Sequence, residues 1–211
     1  MKKKTLTIAI ALVLVVALAV GATYAYLTAT TGEVKNTFTV GNLIDQNKFV
    51  LKEHEVAYNS ANGTYDYVTN DGKTVETDHN TYSQLAPKME VPKDPFIAFR
   101  AEVKSPAYVF VEIVDTTDKQ ITYDLADGWT KLDGVTGNNG GTVYAYKDKI
   151  TSANYTTNLP ILANNKVAVA DSATSANLSD ATLKFYGYLC QATGFTSAKE
   201  AFTNCFGTAN P

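Results

Sequence analysis

Histidine and cysteine are scarce in this chain, with two of each in 211 residues, and that scarcity removes much side-chain chemistry at the outset. His54 sits in K-E-H-E-V-A-Y, where a zinc protease would need a second histidine four residues on, and position 58 is Tyr58 instead. His79 lies in the polar stretch T-D-H-N. One reading joins the two histidines and nearby carboxylates in a metal site; the plainer reading, and the expectation, is two solvated loop residues. A G-x-S-x-G elbow is absent, so a hydrolase serine has no positioned seat. Neither G-x-x-x-x-G-K-[ST] nor G-x-G-x-x-G after a strand occurs, which excludes the usual phosphate cradles. Beyond Lys2, Lys3 and Lys4 the chain also lacks a basic run. With 18 Lys+Arg against 21 Asp+Glu its formal charge is −3, poorly suited to nucleic acid or anionic lipid. No catalytic residue, metal ligand or cofactor is therefore expected. A weak calcium site among loop residues such as Asp115, Asp118, Asp124, Asp127 and Asp133 is the best of the remaining options.

What is present begins at the N-terminus. Lys2, Lys3 and Lys4 precede an uncharged apolar run from Leu6 to Val20. Gly21 breaks that run, and Thr23 and Ala25 supply the small −3 and −1 residues of a signal-peptidase site. Cleavage between Ala25 and Tyr26 is expected, dividing the chain into a leader of residues 1–25 and one domain of residues 26–211. The alternative is an uncleaved anchor, but the run falls short of the roughly 20 apolar residues that span a bilayer. Removing the three leader lysines leaves 15 basic against 21 acidic residues, a formal charge of −6.

The remainder favours strands. Val34 to Ile44 alternates, with Val34, Phe38 and Val40 among polar neighbours. Lys48–Tyr58 fits a strand or a short helix. Asn70-Asp71-Gly72 sits between two alternating arms and predicts a hairpin. Pro87, Pro92 and Pro95 predict an extended, irregular approach. Strands are expected over Phe96–Val103, Ala107–Val114 (the second nearly continuous in apolar residues, hence central in a sheet), from Trp129, over T-V-Y-A-Y-K, over Leu159–Val169 and over Leu183–Gln191. Asp133–Gly141 reads as a turn, and a Ser/Ala-rich polar loop precedes the last strand. A helix closes the chain: Ser197 caps it, Glu200 completes a capping box, and Gly207 stops it. About ten short strands with one or two helices predict a β-sandwich.

Cys190 lies at the end of the last strand and Cys205 on the apolar face of the closing helix. In an exported chain the pair reads as one disulfide; two buried free thiols are the alternative. The tyrosines and phenylalanines fall mostly on alternating positions and are read as packing.

The stretch G-A-T-Y-A-Y-L-T from Gly21, followed by V-K-N-T-F-T-V-G-N-L from Val34, closely resembles the export signal and first strand of the TasA/camelysin family. P-K-D-P-F, A-Y-V-F-V-E-I, D-G-W, V-Y-A-Y-K and Y-G-Y-L-C-Q-A-T-G-F extend the likeness over most of the chain. F-I-A-F-R-A-E-V-K-S-P departs from the family's Asn/Gly-rich turn. The resemblance implies a jelly-roll-like antiparallel β-sandwich with one or two short helices. It further implies a leader removed by a signal peptidase of the SipW type in a Gram-positive bacterium. The mature protein would be secreted to the cell surface or extracellular biofilm matrix, free of the membrane, and would build fibres, with an accessory matrix subunit as a further partner. Fibre growth in that family is thought to proceed by strand donation. The uncharged, proline-free segment Tyr26, Leu27, Thr28, Ala29, Thr30, Thr31 and Gly32, within a 26–40 N-terminal strand region, suits the role of donor. Two other readings stay open: a camelysin-like metalloprotease, and a monomeric adhesin for host or polysaccharide ligands.

Overall fold

The computed structural model describes residues 43–207 apart from Gln46. The leader, the Ala25–Tyr26 cleavage site, the segment Tyr26–Gly32 and the strand expected from Val34 to residue 42 lie outside the described residues.

The fold is mostly β, an antiparallel sandwich with two helices among the described residues. Lys48–Tyr58 resolves as strands β1 (Phe49–His54) and β2 (Val56–Asn59), not a helix. β2 pairs with β3 (Thr64–Tyr67). β4 (Thr69–Asn70) and β5 (Lys73–Thr74) close around Asp71-Gly72, both with positive φ (50° and 74°), the geometry that suits a two-residue hairpin turn. β6 (Glu76–Thr77) and β7 (Glu90–Pro92) follow, then β8 (Phe96–Phe99) and β9 (Ala107–Asp115). β8 is shorter than expected, because residues 100–106 leave the sheet to cross over into β9.

β10 (Ile121–Thr122) leads to β11 (Trp129–Thr136) and β12 (Thr142–Tyr146). β11 runs through Asp133 and Gly134, so the turn covers only residues 137–141, not all of Asp133–Gly141. The expected Leu159–Val169 strand is split. β13 (Leu159–Pro160) and β14 (Lys166–Val169) flank a 3-10 turn at Ala163–Asn165. The Ser/Ala-rich loop holds a one-turn helix, α1 (Ser175–Leu178), capped by Thr174 and Asn177. β15 (Leu183–Gln191) and α2 (Ala198–Phe206) end the described chain.

Three sheets form the body, with strand orders β13-β8-β1-β6, β11-β12-β9-β15 and β10-β14-β7. Proline in β7 is tolerated because β7 is an edge. β9 lies inside its sheet and is buried on both faces. Its odd residues Ala107, Val109, Val111 and Ile113 join Ile97, Phe99, Leu159 and Ile161 in the core between sheets. Phe110 faces the other way and packs with Leu132, Val143, Ala145 and the α2 residues Ala201 and Phe202. The Phe110 and Phe202 rings meet edge to face at 5.1 Å. Two apolar faces explain the nearly unbroken hydrophobic run of β9. Each fully buried side chain of this size stabilises by about 1.5–3 kcal/mol. A disulfide joins Cys190 of β15 to Cys205 of α2.

Candidate functional site

Two sheet edges are candidates for strand addition. β11 and β15 flank the sheet, and neither outer edge carries a strand among the described residues. β11 is irregular between Lys131 and Thr136, and such bulges twist an edge away from partners. β15 is regular. It pairs with β9 over its whole length, Leu183 opposite Asp115 and Gln191 opposite Ala107, and Lys184 is its single charge. A nine-residue, nearly uncharged edge is the kind that accepts another strand through backbone hydrogen bonds. The crossover of residues 100–106 bonds both Leu43 and the residue that follows β15. Leu43 O accepts from Lys104 N–H at 2.9 Å, and Ala192 N–H donates to Pro106 O at 2.8 Å.

A second site is a charged junction where β1 outruns its pairing with β8. The backbone ladder ends at Lys52 opposite Phe96, and side chains continue it. His54 N–H donates to Asp94 Oδ1 at 3.0 Å, and His54 Nδ1 lies 2.5 Å from Asp94 Oδ2. Beside them Lys93 Nζ meets Glu53 Oε2 at 2.6 Å, with the two side chains only 11% and 6% exposed. The Lys93 ammonium stands 5.9 Å from the Tyr82 ring centroid and 5.8 Å from that of Phe185 on β15. Tyr82 donates its hydroxyl to Pro92 O at 2.6 Å. Burial pushes the Tyr67 phenol up to about 12, helped by the charges of Asp94 and Glu53. Burial likewise raises Tyr82, with Glu53 and Asp94 adding to it. Both phenols are therefore held protonated, as donors, at neutral pH.

The two histidines part company. His54 is half-buried at the end of β1, between Phe96 (centroids 5.4 Å) and Tyr67 (6.0 Å), which corrects the expectation of a solvated loop residue. His79 is exposed in a loop, where its N–H and O bond Thr77. Among the described residues no group of three or more His, Cys, Asp or Glu is arranged to hold a metal ion. Of the carboxylates expected in loops, Asp133 lies within β11 and Asp115 ends β9, so neither is a loop residue; Asp115 borders a depression of about 280 Å3 lined also by Tyr123, Gly141, Thr142 and Tyr144. Its oxygens are engaged: Oδ1 accepts from Thr117 N–H at 2.8 Å and Oδ2 from Tyr123 OH at 3.3 Å. Asp115 acts as a turn cap.

Glu112, central in β9, is fully buried, and no sequence motif marks it. Its Oε1 accepts from the backbone N–H groups of Asn139 and Gly141, each at 2.8 Å. Its Oε2 accepts from Asn139 Nδ2 at 3.0 Å and Tyr188 OH at 2.5 Å. Burial works to raise this carboxyl, but the donors, Tyr188 and Asn139 foremost, outweigh it and hold the group below its ordinary range. Burial and the Glu112 carboxylate together raise the Tyr188 phenol. A lone acid inside A-Y-V-F-V-E-I-V was the available signal, since a charge in a two-sided buried strand requires donors. Glu53, Lys93 and Asp94 carried a weaker one, because alternating strands and proline segments seldom reveal what lies beside them.

Comparison with known protein families, with curated proteins and with solved structures finds no match. Among the described residues no helix is long and apolar enough to cross a membrane.

Proposed function

We propose that this chain is a secreted structural subunit of the cell surface or biofilm matrix, one that self-associates by strand addition and has no catalytic centre. The observation that carries the reading is β15, a regular nine-residue edge without a strand beside it among the described residues. The lysine-flanked apolar leader with its Thr23/Ala25 site supports export, and the likeness of residues 21–28 and 34–43 to the TasA/camelysin family supports a fibre-forming role. In this reading a SipW-type peptidase exposes Tyr26, and the Thr-rich segment Tyr26–Gly32 of one subunit pairs with the open edge of the next. Backbone hydrogen bonds supply the affinity, and alternate side chains set the register.

The test compares purified protein beginning at Tyr26 with protein beginning at Glu33, by electron microscopy and light scattering. The longer form is expected to polymerise and the shorter to stay monomeric. Equal polymerisation would end the donor-strand reading, and a longer form that stays monomeric at all concentrations would favour the adhesin instead.

A further inference from the structure

We infer that Lys93 and Glu53 are the site of a self-catalysed covalent modification, an amide cross-link between the two side chains. The pair joins β1 to the segment before β8, 40 residues apart in sequence, and is nearly closed to solvent. Reaction of an amine with a carboxyl normally fails in water because both groups are charged, solvated and dilute. Here all three obstacles are reduced. The Tyr82 and Phe185 rings wall the Lys93 amine, and a site that excludes water disfavours charge separation. A proton passing from the ammonium to the carboxylate over the 2.6 Å contact leaves a neutral amine facing a neutral acid. Glu53 is on β1, and Lys93 directly follows β7 with its backbone N–H bonded to Asn165 O at 2.9 Å, so both groups are positioned; well-oriented intramolecular partners reach effective molarities of about 10⁵ M and above.

The step balances within the pair. The Lys93 Nζ lone pair attacks Glu53 Cδ, forming the C–N bond. The Cδ–O bond then breaks, and that oxygen leaves as water, carrying two of the three ammonium protons. Nothing is oxidised or reduced. The product would tie β1 to the Pro92–Pro95 segment permanently, close to the edge strand β15 that supplies Phe185.

Intact-mass measurement of the purified, denatured protein tests this, with the N-terminus read by peptide sequencing. The expected mass is one water below that of the sequence with its disulfide. Trypsin should fail to cut after Lys93 and should release a branched peptide joining residues 53–73 to 89–100. The Lys93→Arg variant, which keeps the ion pair, and Glu53→Ala should each show the full mass. A wild-type protein of full mass that trypsin cleaves after Lys93 overturns the proposal and leaves the pair a simple buried salt bridge.

Discussion

Glu112 concentrates more structural consequence than any other single residue described. Four donors converge on one buried carboxylate, three of them from the β11–β12 turn. Glu112→Ala strands those donors away from water and should cost about 3 kcal/mol or more; a loss below about 1 kcal/mol in urea unfolding would refute the account. The carboxyl is held below its ordinary value of 4.5 in the folded state. Its contribution is therefore complete above that value and is lost as pH falls through the folded pKa. Between about pH 6 and about pH 3 the wild type should lose more stability than Glu112→Gln, which cannot titrate there. Parallel curves would contradict the linkage. Gly137 belongs to the same unit, since a Cβ there would run into the Glu112 carboxyl carbon. Gly137→Ala should destabilise by about 1–3 kcal/mol, and much less in the Glu112→Ala background, where the space is empty. Additive costs would show that the two positions do not interact.

At the scale of elements, α2 depends on its neighbours. Ser197 Oγ accepts from Glu200 N–H at 3.1 Å, as the capping pattern predicts. Glu200 reaches one residue further back, accepting at Oε2 from Thr196 N–H (2.8 Å) and Thr196 Oγ1 (2.6 Å). Nine residues are too few for a stable isolated helix, so packing of Ala201 and Phe202 and the Cys190–Cys205 bond hold it. The bond closes a 15-residue separation, worth about 3 kcal/mol on the loop-entropy model. Reduction should lower the denaturation midpoint accordingly while the circular dichroism of the sheets persists at low denaturant. An unchanged midpoint would mean that packing alone secures the helix. Element boundaries were the least legible feature. β8 stops at Phe99 because the crossover must leave the sheet, and β11 runs on through Gly134 because β12 supplies its partner. Neither fact resides in the segment itself.

For the whole molecule, the decisive contrast is between two sheet edges. If subunits assemble as proposed, by strand addition at β15 with Tyr26–Gly32 as donor, assembly would depend on proteolytic release of the N-terminus, and polymerisation should follow export rather than precede it. The charged junction lies at the same side of the sandwich, through Phe185. An amide there would reinforce the subunit next to the surface proposed to bear the load.

The mostly-β class, the central position of β9, the Asp71-Gly72 hairpin and the closing helix were all readable in the chain. Each depends on local pattern: residue alternation, positive-φ turn residues, or a helix cap beside a 3.6-residue apolar stripe. Tertiary structure alone decided that Glu53 meets Lys93, that Asp94 holds His54, and that Glu112 is solvated by a turn rather than by water. Those contacts join residues 27 to 40 positions apart. Periodicity reports which face of a strand is buried; only the folded arrangement of sheets determines which side chain waits on the other side.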